Sequence, residues 1–165
     1  MSKKNNIVLI GFATSGKTTV GKLVAKKTKM NFVDLDDMTY AEYKKIHFAD
    51  NGKWDEELFR KAESAVCDNL DVTNCVVACG GGTPTRKEFA KLCSGGTVVW
   101  LKVSAEQVAM RLGNTERPLF DNLTLSELKT FVAKRTEYYE IAELQVDTDN
   151  KTPQEVADEI CKALS

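Results

Sequence analysis

The sequence has no excess of charge of either sign: 23 Lys and Arg stand against 24 Asp and Glu, a formal net charge of -1. No whole-protein positive field exists to gather nucleic acid or anionic lipid, so neither is expected as a partner. Long apolar runs are also missing. Nothing approaches the roughly 18 residues that a membrane-spanning helix needs. The stretch Ile7 to Ile10 before Gly11 is too short for a signal-peptide core and lacks a cleavage-site pattern, which predicts a cytoplasmic protein without membrane contact. Histidine is scarce, with His47 alone, and the five cysteines (Cys67, Cys75, Cys79, Cys93, Cys161) have no CxxC spacing. Zinc ligation and a disulfide framework are therefore excluded, and small buried thiols in a reducing compartment are expected. What remains is ordinary: 165 residues, 42% hydrophobic and 28% charged. A chain of this length buries roughly 70% of its unfolded surface, enough for one domain over residues 1–165 without staples. No exposed apolar stripe stands out, so a monomer is expected.

Apolar, β-rich runs alternate with amphipathic segments. Ile7 to Ile10, Phe32 to Leu35, Val76 to Cys79, Val98 to Leu101 and the weaker Leu144 to Val146 read as strands. Lys17 to Lys27, Asp55 to Leu70, Arg86 to Leu92, Ala105 to Leu112, Leu125 to Tyr139 and Pro153 to Leu164 carry apolar residues three and four apart and read as helices. Strands without strict alternation are buried on both faces, and strand–helix–strand order implies a parallel sheet. The expected fold class is therefore α/β, a three-layer α/β/α domain. The polar segment from Gly113 to Thr124 reads as a loop able to move.

The strongest chemical signal is Gly11-Phe12-Ala13-Thr14-Ser15-Gly16-Lys17-Thr18, two glycines separated by four residues and followed by Lys-Thr. A strand leads into it and a helix leaves it, so backbone amides and the positive helix N-terminus face the same anion. Lys17 would meet the β- and γ-phosphates of a nucleotide, and Thr18 offers a hydroxyl to Mg²⁺. After the second strand comes Asp34-Leu35-Asp36-Asp37. Alternation along an extended strand end puts Asp34 and Asp36 on one side, near the phosphate loop, for a metal ion and a substrate hydroxyl. A helix N-cap with an acidic first turn explains part of the same cluster, Asp37 above all. Gly80-Gly81-Gly82 after the third strand permits close approach of a ligand to the backbone. Arg60, Arg117 and Arg135 gain meaning only beside this anionic chemistry; alone they are solvated charges.

Taken in order, these motifs resemble the shikimate kinases, a branch of the P-loop kinases related in fold to nucleoside monophosphate kinases. The resemblance runs from about Asn6 to Leu164, through the phosphate loop, Asp34-Leu35-Asp36, Phe59-Arg60 with Glu63, Gly80 to Gly82, Arg117-Pro118-Leu119, and Arg135 with Tyr139. It implies a five-stranded parallel sheet in the order 2-3-1-4-5. It also implies transfer of the γ-phosphoryl group of ATP to the 3-hydroxyl of shikimate, with Mg²⁺. By resemblance, Gly11, Thr14, Ser15, Gly16, Lys17, Thr18, Thr19, Arg111 and Arg117 serve ATP, and Thr18 and Asp34 serve the metal. Asp36, Arg60, Gly80, Gly81, Gly82 and Arg135 serve shikimate, while Lys17, Asp36 and Arg117 act on the transfer. A helical subdomain over about 36–63 and a lid over about 113–124 complete the picture.

The chain departs from that pattern in places. Thr14 stands where the family usually carries a third glycine, and Lys102 where an aspartate often follows the fourth strand. Within Tyr40 to Asp55 the usual Ile-Phe pair is absent, and Asp55-Glu56 occupies the place of a Gly-Glu. Two other readings stay open: a gluconate-type kinase on the same scaffold, and a non-catalytic ATP-binding module. The glycine run with Arg60 and Arg135 speaks against the first, and retention of Lys17, Thr18, Asp34, Asp36 and Arg117 against the second.

Overall fold

The computed structural model describes residues 5–47, 53–113, 120 and 122–165. Strand β1 (Asn6–Ile10) is buried at every position, because Val8 and Ile10 face one layer of helices while Ile7 and Leu9 face the other. Around it lie β2 (Asn31–Asp34), β3 (Cys75–Ala78), β4 (Gly96–Lys102) and β5 (Leu144–Asp147). They form a five-stranded sheet in the order β2-β3-β1-β4-β5, parallel at every pairing. The expected topology is thus the observed one.

Helices α1 (Lys17–Thr28) and α7 (Pro153–Leu164) cover one face of the sheet. Their Val20, Val24, Val156 and Ile160 pack on Leu9, Val76, Val99 and Leu101. The other face carries α3 (Glu56–Asn69), α4 (Phe89–Cys93), α5 (Ala105–Leu112) and α6 (Leu125–Tyr139), which contribute Cys67, Phe89, Val108, Leu128 and Tyr139 to a second core around Ile10, Val77 and Trp100. Helices α6 and α7 each begin with a capping box, Thr124 with Glu127 and Thr152 with Glu155. These pairs satisfy amides that the first turn leaves unbonded.

Three local expectations are corrected. Leu35 does not end the second strand; it opens α2 (Leu35–Ile46), a helix absent from the periodicity reading. The buried positions of α2 are Leu35, Thr39 and Tyr43, a four-residue spacing with a hydroxyl on two members, so no apolar stripe advertises it. The helix expected over Arg86 to Leu92 is replaced by a 3-10 turn at Thr83–Thr85, an extended Arg86 (φ -87, ψ 139) and the short α4. Pro84 favours that turn because it has no amide to donate.

The cysteines at 67, 75, 79, 93 and 161 are free. Burial holds the Cys79 thiol well above its usual pKa and pushes Cys67 up to about 12, so both are protonated and unreactive. Among the described residues, no helix is long and apolar enough to cross a membrane.

Because Leu9 is fully buried at the middle of the central strand, Leu9→Ala is expected to cost about 3 kcal/mol of stability. Urea unfolding followed by circular dichroism measures this, and a loss below about 1 kcal/mol would contradict the packing described.

Candidate active site

The parallel register sets the site. Asp34 pairs with Ala78, and Ala78 with Leu9, so the loops that leave β1, β2 and β3 emerge side by side at one sheet edge. From β1 the chain passes through Gly11 to Gly16, the N-cap of α1, where a φ of 92 suits a residue without Cβ. Buried Lys17 folds back into the loop, its Nζ donating to Gly11 O at 2.7 Å and Phe12 O at 2.9 Å. The first turn of α1 holds no acidic residue of its own, and its positive end suits an anion. Thr18 and Thr19 are exposed at its mouth. Thr18 Oγ1 donates to Asp34 Oδ2 at 2.6 Å.

Arg111, from α5, reaches the same loop. Its Nη1 donates to Thr14 O at 2.7 Å and its Nη2 to Thr148 O at 3.4 Å. Thr148 is buried and donates its hydroxyl to Lys102 O at 2.8 Å. Sequence reasoning missed Thr148, because a lone threonine after a strand carries no motif; only the pairing of β4 with β5 brings it here.

The acidic cluster is arranged differently from the expectation of a common strand face. Asp34 is the N-cap of α2, accepting the Asp37 amide at 3.2 Å on Oδ1, so its two oxygens serve the helix and Thr18 together. Asp36 lies within the first turn of α2 rather than on the strand, and the helical turn, not alternation, aims it at the glycine run. A Cβ built on Gly80 would stand 2.5 Å from Asp36 Oδ1, 3.1 Å from Glu63 Oε2 and 3.2 Å from Thr83 Oγ1. Asp37 is exposed and meets Asp34 through its amide.

Both expected arginines converge on Gly82, where a Cβ would collide with Arg60 Nη1 and lie 3.1 Å from Arg135 Nη1. Arg135 Nη1 and the Tyr139 hydroxyl each donate to Gly81 O at 2.7 Å. Arg60 Nε donates to Glu56 Oε1 at 2.9 Å, and its Nη1 to Glu63 Oε1 at 3.0 Å. Glu56 in turn accepts the Trp54 indole N–H at 2.9 Å. Around that anchor, Tyr40, Tyr43, Trp54 and Phe59 stack with ring centroids 4.8 to 6.1 Å apart, and Tyr43 Oη accepts the Asp55 amide at 2.9 Å. This aromatic packing joins α2 to α3 in the segment whose sequence departs most from the resembled pattern.

Glu63, quoted in the sequence only as a neighbour of Arg60, is 3% exposed. Burial raises its pKa and Asp36 adds to the rise, while Arg60 and Arg86 pull it down; the net shift is upward. Its contact with Arg60 Nη1 at 3.0 Å makes it the counter-ion that holds Arg60 in place. Arg117 and most of the expected lid over 113–124 lie outside the described residues.

The sequence profile of the shikimate kinase family matches residues 13–165. The chain belongs to the shikimate kinase family. A shikimate kinase of Persephonella marina is 38% identical over 161 residues, spanning 94% of this chain and 96% of the relative. Among solved structures, a shikimate kinase from Acinetobacter baumannii in complex with shikimate superposes with a TM-score of 0.83 at 27% identity, covering 98% of this chain and 93% of that one. A gluconokinase from Sinorhizobium meliloti, at 21% identity and a TM-score of 0.64 over 99% of this chain and 93% of that one, shares the fold. As a member of the shikimate kinase family the chain is an ATP-dependent kinase, and the sheet order that the resemblance implies is the observed one.

The upward shift at Glu63 has a pH consequence. A carboxyl more easily protonated when folded stabilises the fold below the ordinary glutamate range, and that contribution is lost as pH rises through the raised value. Glu63→Gln removes this dependence. Relative to wild type, the variant is expected to be more destabilised at pH 4.5 than at pH 7, measured by urea denaturation at both; the reverse order would contradict the burial argument.

Proposed function

We propose that this chain transfers the γ-phosphoryl group of ATP to the 3-hydroxyl of shikimate, giving shikimate 3-phosphate and ADP. The observation that carries this reading is the meeting of Arg60 and Arg135 at Gly82, with Asp36 beside Gly80, next to the loop that holds Lys17. A ring bearing one carboxylate and several hydroxyls needs two such elements: cations for the acid and an acceptor for a hydroxyl. Charge-assisted hydrogen bonds contribute about 1.5–3 kcal/mol each, so two arginines favour an acid over a neutral polyol.

In this reading the loop from Gly11 to Gly16 and the start of α1, through Thr18 and Thr19, receive the triphosphate. Lys17 exchanges its bonds to Gly11 O and Phe12 O for phosphate oxygens, while Arg111 flanks the base side of the loop. Asp36 accepts the hydrogen bond of the attacking hydroxyl and takes its proton as the phosphoryl group moves. Gly80, Gly81 and Gly82 frame the ring by leaving it space. The acceptor subdomain, about 36–63, takes in α2 and the first part of α3, where the Glu56 and Glu63 contacts keep the Arg60 guanidinium aimed inward.

The residues present fit Mg²⁺. Thr18 Oγ1 and Asp34 Oδ2 are hard oxygen donors 2.6 Å apart at the loop mouth. Among the described residues no group of His, Cys, Asp or Glu suited to a closed protein cage exists, in keeping with an ion that takes most of its ligands from phosphate and water. When bound, the ion neutralises charge on the β- and γ-phosphates.

The deciding experiment is ADP release from Mg-ATP with shikimate, gluconate, a nucleoside monophosphate or no acceptor. Turnover with shikimate alone is expected; turnover with gluconate alone would transfer the reading to a sugar-acid kinase. Arg135→Ala is expected to raise the shikimate KM about tenfold or more and leave the ATP KM within about twofold. Lys17→Ala is expected to lower kcat by about a hundredfold or more, since its charge acts on the transferring group. Full activity in that variant would remove Lys17 from the mechanism.

A further inference from the structure

The phosphate loop contains a side chain that its own geometry disfavours. The Ser15 amide donates to Phe12 O at 3.1 Å, closing a four-residue turn whose third residue is Thr14, with φ 69, while Ala13 is not among the positive-φ residues. Negative φ followed by positive φ is the type II pattern, whose third position calls for glycine or asparagine. A β-branched residue there is strained. The strain comes with a second irregularity. Thr14 Oγ1 is buried and has no hydrogen-bond partner in the structure, although a hydroxyl out of water is costly to leave unbonded. Meanwhile the Thr14 carbonyl is held by Arg111 Nη1 at 2.7 Å, and Arg111 is tied to Thr148 O at 3.4 Å, so the residue cannot turn away without releasing its bond from Arg111.

Resting on the reading of this loop as the ATP site, we propose that Thr14 supplies a side-chain donor to the nucleotide. Its hydroxyl hydrogen-bonds a non-bridging phosphate oxygen on the side of the loop flanked by Arg111 and Thr148. Glycine would relieve the turn and give up that bond. The loop therefore recognises phosphate with a hydroxyl in addition to its amides and Lys17.

The test compares wild type with T14S, T14V and T14G, measuring Mg-ADP affinity by calorimetry, ATP and shikimate KM, kcat and Tm. In T14V the Mg-ADP Kd and ATP KM are expected to rise about tenfold; T14S is expected to restore both nucleotide constants. T14V keeps the shape of threonine, and T14G, which relieves the strained φ, guards against misfolding. T14G is expected to raise Tm by roughly 2–4 °C while weakening Mg-ADP as T14V does. Wild-type affinity in T14V or T14G, or a loss in T14S equal to that in T14V, would overturn the proposal. A wild-type protein that binds no Mg-ADP would overturn the loop reading itself, a result distinguishable from the former.

Discussion

Everything at the site depends on the parallel alignment of β2, β3 and β1. Parallel strands put their carboxyl ends on one edge, and the register that sets Asp34 and Leu9 level with Ala78 makes three loops leave the sheet at the same height. The phosphate loop, the Asp34 cap and the glycine run become neighbours for that reason alone, although they are separated by many residues along the chain. The alignment is maintained from behind by α1 and α7, whose valines and isoleucine seal Leu9, Val76 and Val99. A slip of one residue in β1 would exchange its two buried faces and misplace the loop together with the core.

At the acceptor end, electrostatics rather than packing decides the geometry. Glu63 is buried among Arg60, Arg86 and Asp36, and a buried charge persists only with partners. Its ion pair with Arg60, shared with the half-buried Glu56, fixes the guanidinium, whose Nη1 both meets Glu63 and points at Gly82. Arg135 is held from the opposite side by Gly81 O and lies over the Phe131 ring at 5.2 Å. The two cations are thus restrained on separate helices, α3 and α6, by contacts that leave their approach to the glycine run intact. Restraint of this kind removes entropy before a ligand arrives, which is how positioning residues serve a phosphoryl transfer that needs alignment more than a strong base.

The motifs legible along the chain were those whose chemistry is local. The Gly11 to Thr18 loop needs only a strand, a turn and a helix start in sequence, and its glycines and Lys17 declare it. Helix α2 was illegible because its buried face is Leu35, Thr39 and Tyr43: its polar members are satisfied by Leu35 O and the Asp55 amide, partners that exist only once the chain has folded. The same helix changed the meaning of Asp34 and Asp36. Both carboxylates reach the site, but one as a cap and the other from a helical turn, not from a common strand face. Tyr40, Tyr43 and Trp54, from a stretch unfamiliar in sequence, pack with Phe59 and so join α2 to α3.

By itself the sequence determined the α/β class, the strand order through its resemblance, the phosphate loop and the identity of the charged residues. These follow from hydrophobic period and from residue types adjacent in the chain. Tertiary structure alone decided that Arg60 and Arg135 meet at Gly82, that Glu63 is the buried counter-ion of Arg60, that Thr148 anchors Arg111, and that the Thr14 hydroxyl is left without a partner inside a strained turn. Such facts depend on burial and on distances between residues remote in sequence. A one-dimensional pattern does not encode them, because desolvation and pairing arise only where separate elements come together.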